Sequence, residues 1–136
     1  MGSISLFEAM QKASVKTIVF SSSATVYGEP HHLPLDEGHP LSPINPYGQS
    51  KKAGEDLLFA YSKETNAPVF VYRLPNVFGK WCRPNYNSAI ATFCNNIANN
   101  LPIKVNDPTV KMQLVYIDDV VAAFIRKLKN GSNNTE

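Results

Sequence analysis

A chain of 136 residues that is 43% hydrophobic is long enough for one globular domain with a single core and too short for a two-domain enzyme. Its 13 basic and 11 acidic residues are scattered for a net charge of +2, so no basic stripe forms to grip a phosphate backbone and nucleic acid is not expected as a partner. Cys82 and Cys94 form no CxxC pair, His31, His32 and His39 lack metal-ligand spacing, and no apolar run approaches the roughly 20 residues of a membrane span. Neither a metal nor a membrane is therefore expected, and a cytoplasmic setting is the default.

In chain order, residues 3–14 place Ile4, Phe7 and Met10 on one helical face, with Leu6 beside it and Lys12 and Lys16 toward the C-terminal end. Thr17-Ile18-Val19-Phe20 has no alternation, as in a strand of a parallel sheet covered on both faces, and runs straight into Ser21-Ser22-Ser23. Between Gly28 and Pro46 stand five prolines, two glycines and three histidines, which predicts a long loop. Residues 47–63 then read as the longest helix, with Leu57, Leu58 and Tyr61 on its apolar stripe.

Residues 69–74 form a second buried-type strand ended by Pro75, and residues 88–99 a helix with Ile90, Phe93, Cys94 and Ile97 inward. Residues 103–105 and 114–116 read as short strands. Asp118 begins a last helix through Val121, Phe124, Ile125 and Leu128, and the tail 130–136 is polar. Alternating helices and strands predict an α/β fold of βαβ units around a parallel sheet, in one domain over residues 1–129.

Tyr47 and Lys51 are four apart at the start of the longest helix, one turn from each other on one face. Running a phenol as a base near neutral pH requires stabilising the phenolate by about three pKa units, roughly 4 kcal/mol. An ammonium about 6 Å away at an effective dielectric of about 20 contributes roughly 2 to 3 kcal/mol of that, and a cationic cofactor would complete it. Tyr-x-x-x-Lys alone is a weak signal, but Ser21-Ser22-Ser23 lies where open α/β sheets bind ligands. A hydroxyl there can hydrogen-bond the substrate oxygen that the tyrosine deprotonates. The alternative, serines that terminate a strand and cap backbone groups, stays open for Ser23 and is the better reading of Ser21.

Residues 20–30, Phe-Ser-Ser-Ser-Ala-Thr-Val-Tyr-Gly-Glu-Pro, followed by Asn45-Pro46-Tyr47-Gly48-Gln49-Ser50-Lys51, resemble UDP-glucose 4-epimerases and their extended short-chain dehydrogenase/reductase relatives. The resemblance implies a catalytic triad of Ser23, Tyr47 and Lys51. Tyrosine takes the proton of a sugar hydroxyl while hydride passes to NAD, or alternatively NADP, and lysine holds the nicotinamide ribose. It puts Ser21, Ser22, Tyr47, Lys51, Leu74 and Pro75 at the cofactor, and Ser23, Thr25 and Tyr27 at the sugar. Within Arg73-Leu74-Pro75-Asn76-Val77-Phe78-Gly79 it assigns Asn76 to the nucleotide-sugar diphosphate, with an asparagine fixing its own turn as the alternative. In Tyr116-Ile117-Asp118-Asp119-Val120, Asp118 reads as a helix cap rather than a catalyst.

Three departures bear on the expected chemistry. Met112-Gln113 stands where many epimerases carry a phosphate-clamping arginine. Residues 80–88 instead resemble the hexulose reductases of capsular-polysaccharide synthesis, which consume a reduced cofactor, and Arg83 or Lys80 takes over the phosphate unless both are solvated loop positions. No G-x-x-G-x-x-G occurs among the seven glycines, so the pyrophosphate loop is missing, and the chain reads as the C-terminal part of a partial Rossmann-like fold whose glycine-rich half is absent. The expected partners are a nucleotide-sugar and a second copy of the chain, bound through helices 3–13 and 47–63. The expected function is epimerisation; keto-sugar reduction and an inactive fragment that only dimerises or binds sugar nucleotide are the alternatives.

Overall fold

The computed structural model describes residues 2–32 and 34–130. In order it contains α1 (Gly2–Lys12), β1 (Ile18–Ser23), a 3-10 turn (Ala24–Tyr27), α2 (Pro46–Thr65), β2 (Val69–Leu74), β3 (Asn76–Phe78), α3 (Ala89–Ala98), β4 (Leu114–Tyr116) and α4 (Ile117–Asn130). The expected polar tail, from residue 131 onward, lies outside the described residues. The fold is α/β with parallel pairing, as the sequence predicts, and divides into two units: one runs to Leu74 and resumes at Phe124, and the other spans residues 75–123. No helix among the described residues is long and apolar enough to cross a membrane.

In the first unit β1 and β2 run parallel, in register from Ile18 opposite Val69 to Ser23 opposite Leu74, with α2 as the crossover. Ile18, Leu58 and Val69 make the buried centre, and Phe7, Met10, Phe20, Tyr61 and Val71 pack against it. Burying a side chain such as Leu58 contributes about 1.5–3 kcal/mol. Helix α2 has defined ends: Asn45 Oδ1 accepts the Gly48 N–H at 2.7 Å, Pro46 occupies the first turn, and Asn66 closes the helix in the left-handed region at φ 56°. Of its expected stripe, Leu58 is buried and Tyr61 half-buried, but Leu57 is exposed.

The strand expected at residues 17–20 continues through all three serines. Backbone pairing with Tyr72, Arg73 and Leu74 extends the ladder, and the buried Ser22 hydroxyl finds a partner in Glu55, so polarity does not end the strand.

In the second unit the short strands β3 and β4 pair in parallel, from Asn76 opposite Leu114 to Phe78 opposite Tyr116. Residues 103–105 form no strand. They are exposed between Pro102 and a turn in which Asp107 Oδ1 accepts from the N–H and the hydroxyl of Thr109 at 2.9 and 2.7 Å. Ser88 caps α3 by accepting from the Ala91 N–H, but none of the residues of that helix is buried, and the expected inward Cys94 and Ile97 are exposed.

Helix α4 begins at Ile117, so Asp118 lies inside its first turn rather than capping it. Its buried positions are Val120 and Lys127, with Phe124 partly covered against Tyr72, whereas Val121, Ile125 and Leu128 are exposed. Lysine takes an inward position because its ammonium lies 5.5 Å from the centre of the Phe70 ring while its aliphatic stem packs.

Candidate active site

Tyr47 and Lys51 project from the first two turns of α2. The Lys51 ammonium lies 5.6 Å from the centre of the Tyr47 ring and 5.3 Å from that of Phe20, and donates to the carbonyl of Ser21 at 2.8 Å. Lysine thereby joins the helix to β1 at the serine run. Ser23 ends β1, and its Oγ accepts from the N–H and hydroxyl of Thr25 at 3.3 and 3.0 Å, capping the 3-10 turn. Tyr47 keeps 57% of its surface exposed, so its phenol is open to a substrate.

The turn and the helix meet closely. A methyl group built on buried Gly48 would lie 2.6 Å from the Thr25 carbonyl oxygen and 3.0 Å from Pro43 Cβ. Only glycine permits this approach, and it places the residue next to Tyr47 against the turn that Ser23 opens. Gly28, at φ 73°, closes the turn, and a methyl there would fall 2.0 Å from the Ser42 carbonyl oxygen. In the long loop buried His39 is the anchor. The His31 N–H donates to its Nε2 at 2.9 Å, so the ring proton is on Nδ1, which donates to the Pro40 carbonyl at 3.0 Å.

The structure thus gathers Ser21, Ser23, Tyr47 and Lys51 at one end of the β1–β2 pair, with Leu74 opposite Ser23 and Pro75 directly after it in the chain. Two side chains assigned by resemblance have other occupations. Ser22 is buried, with its hydroxyl donating to Glu55. Tyr27 is 5% exposed, its hydroxyl accepts from Arg73 Nη1 at 3.2 Å, and its ring meets the edge of His39.

Sequence reading missed Glu55 and Arg73. Glu55 is fully buried and takes hydrogen bonds from Arg73 Nε and Nη2, the latter at 2.9 Å. Burial pulls the Arg73 guanidinium down, but its hydrogen bonds to Glu55 and Tyr27 and the Glu55 charge outweigh this and hold it above the ordinary arginine value. The available signal was a charge within the buried-type run 69–74 and a carboxylate four residues beyond Lys51.

In the second unit Asn76 opens β3 and is exposed. Lys80 Nζ lies 2.9 Å from the Asp118 carboxylate, and hydrogen bonding to Asp118, reinforced by its charge, raises the lysine above its ordinary value. Arg83 is exposed, with its guanidinium 5.9 Å from the centre of the Tyr86 ring. Tyr86 is in turn part of a cleft of about 790 Å³ lined also by Asn87, Ser88, Phe93, Lys104 and Val105. Aromatic walls with a few amides, a hydroxyl and an ammonium suit a planar polar ligand.

The family model described as the NAD dependent epimerase/dehydratase family matches residues 1–136. The chain belongs to that family. A UDP-2-acetamido-2,6-beta-L-arabino-hexul-4-ose reductase of Pseudomonas aeruginosa is 50% identical over 90 residues, covering 66% of this chain and 24% of the reductase. A UDP-glucose 4-epimerase of Lactobacillus helveticus is 46% identical over 78 residues, covering 57% of this chain and 24% of the epimerase. Among solved structures, a UDP-N-acetylglucosamine 4-epimerase of Methanobrevibacter ruminantium in complex with UDP-N-acetylmuramic acid superposes with a TM-score of 0.89 at 29% identity, over 98% of this chain and 44% of that one. The chain spans 17 to 43% of the length of the curated relatives it matches. These relatives modify nucleotide-sugars, and the chain is a member of an enzyme family that acts with NAD.

Proposed function

We propose that the chain carries the proton-transfer centre of a nucleotide-sugar 4-epimerase. The observation that supports this most directly is Lys51, bonded to the Ser21 carbonyl and 5.6 Å from the centre of the Tyr47 ring, with Ser23 closing the same strand. Tyr47 accepts the proton of the sugar hydroxyl, and the Ser23 hydroxyl hydrogen-bonds the same oxygen. Lys51 places its ammonium beside the Tyr47 ring, and the return of the proton from Tyr47 completes the exchange.

The residues present fit the nicotinamide-ribose end of NAD. A half-buried ammonium has three N–H donors, of which Ser21 takes one, and the others suit ribose hydroxyls. Bound there, NAD supplies a reversible hydride acceptor. The backbone of Ser21, Leu74 and Pro75 borders the same strand ends.

Arg83 is the proposed diphosphate ligand, because Lys80 is committed to Asp118 while Arg83 stacks beside the cleft-lining Tyr86. Asn76 and Thr25 are proposed as further substrate contacts. We also propose a homodimer through residues 3–13 and 47–63, on which Ile4, Leu6, Leu57 and Phe59 are exposed.

The 50% identity to a keto-sugar reductase favours a second reading, NADPH-dependent reduction of a nucleotide-linked keto-sugar at the same three residues. Cofactor stoichiometry separates the two. Incubation with UDP-glucose and NAD⁺ yields UDP-galactose with no net change at 340 nm if the first reading holds. Oxidation of one NADPH per keto-sugar consumed establishes the second. Absence of turnover and of ligand binding with both substrate sets refutes both.

A further inference from the structure

Glu55 is one of the largest fully buried side chains, and it stands on α2 four residues after Lys51 and eight after Tyr47. A carboxylate in that position must be hydrogen-bonded on all sides, and it is. Ser22 of β1 donates to Oε1. Arg73 of β2 donates from Nε to Oε1 at 3.2 Å and to Oε2 at 3.1 Å, and from Nη2 to Oε2 at 2.9 Å. The remaining arm, Nη1, reaches Tyr27 at the end of the 3-10 turn at 3.2 Å.

Each element in this network carries or borders a member of the candidate centre. Ser22 precedes Ser23, Tyr27 is the last residue of the turn that Ser23 caps, Glu55 lies on the same helix as Tyr47 and Lys51, and Arg73 precedes Leu74, which lies opposite Ser23. We propose that Glu55 and Arg73 are positioning residues, a buried clamp that fixes the height of α2 against β1 and β2 and so holds the Lys51 ammonium at the Ser21 carbonyl. This rests on reading Ser23, Tyr47 and Lys51 as the reacting groups.

Physical reasoning favours position over stability as the role of the pair. A buried ion pair stabilises a fold no better than apolar side chains of similar size, so stability alone gives little reason to keep one. A forked guanidinium–carboxylate contact is directional, whereas apolar contacts tolerate sliding of a helix along its axis. Only about 6 Å of helix separates Lys51 from Glu55, so a shift at the clamp reaches the ammonium almost unreduced.

The test pairs the double variant Glu55→Met/Arg73→Met with the single variant Arg73→Lys, which keeps the charge and loses the fork. Acylation of each lysine by a small reagent is followed by peptide mass spectrometry, alongside circular dichroism and thermal melting. In a folded double variant Lys51 is expected to react at least about threefold faster than in the wild type, because its bond to Ser21 opens, with Lys12 and Lys16 unchanged. If the double variant does not fold, Arg73→Lys gives the same readout. An unchanged Lys51 rate in whichever variant is folded overturns the proposal. The labelling needs no turnover, so a wild-type chain inactive on nucleotide-sugars defeats the functional reading and leaves the clamp to be decided by Lys51.

Discussion

Replacing Gly48 by alanine tests whether the close seating of α2 on the 3-10 turn sets the geometry beside Tyr47. The added methyl would lie 2.6 Å from the Thr25 carbonyl oxygen, and an ordinary carbon–oxygen contact needs about 3.4 Å, so turn and helix must separate by about 0.8 Å. Pro43 Cβ at 3.0 Å blocks an easy sideways escape. Overpacking of this kind costs about 1–3 kcal/mol, against which alanine regains up to about 1 kcal/mol of helix propensity. With the full propensity gain the net loss is at most about 2 kcal/mol, which for a chain of this size lowers the melting temperature by up to about 8 °C. Gly54→Ala is the control. Its methyl would meet the Phe20 ring at 2.9 Å, a side chain rather than backbone, so the change is expected to cost less than at Gly48. Thermal melting by circular dichroism reads both variants, and a Gly48→Ala chain as stable as Gly54→Ala would refute the seating argument.

Three further outcomes follow from the same geometry. Tyr47→Phe removes an exposed hydroxyl, so it is expected to leave the melting temperature within about 2 °C of wild type while reducing turnover on a nucleotide-sugar by about 10²–10⁴-fold, measured by coupled assay. Asn45→Ala leaves the Gly48 N–H without its capping oxygen and is expected to cost about 1 kcal/mol in a urea titration. Asp107 is held below the usual carboxylate range by hydrogen bonds from the Thr109 side chain and then its backbone, so the stability it contributes is present above the unfolded-state value and is lost as pH falls through the lower folded-state value. Thr109→Val is expected to move the Asp107 titration upward in carboxyl-carbon NMR.

Legibility followed how far each feature depends on local sequence. The α2 helix was readable because Asn45-Pro46 starts it and helix formers fill it, and β2 because its apolar run ends at Pro75. The Tyr47–Lys51 pair is a matter of helical spacing and so was visible before any fold. What escaped depends on partners distant in the chain. The continuation of β1 through Ser22 requires Glu55, 33 positions away, and the burial of Tyr27 requires Arg73, 46 positions away. Residues 103–105 have the composition of a strand but form no ladder, and the inward face of α4 was misjudged because a lysine occupies it at residue 127. The cleft of the second unit draws on residues from 85 to 112, and no single stretch of sequence announces it.

The central claim is that Lys51 and Tyr47 form the working centre of this chain, and calorimetric titration of wild type and Lys51→Met with NAD⁺ in the presence of UDP-glucose tests it most directly. With no glycine-rich pyrophosphate loop among its residues, the chain is expected to bind the cofactor weakly, and at least about tenfold more weakly still in Lys51→Met, since the ammonium holds the ribose and flanks the phenol. Equal affinity in the two proteins, or no binding to the wild type, would contradict it.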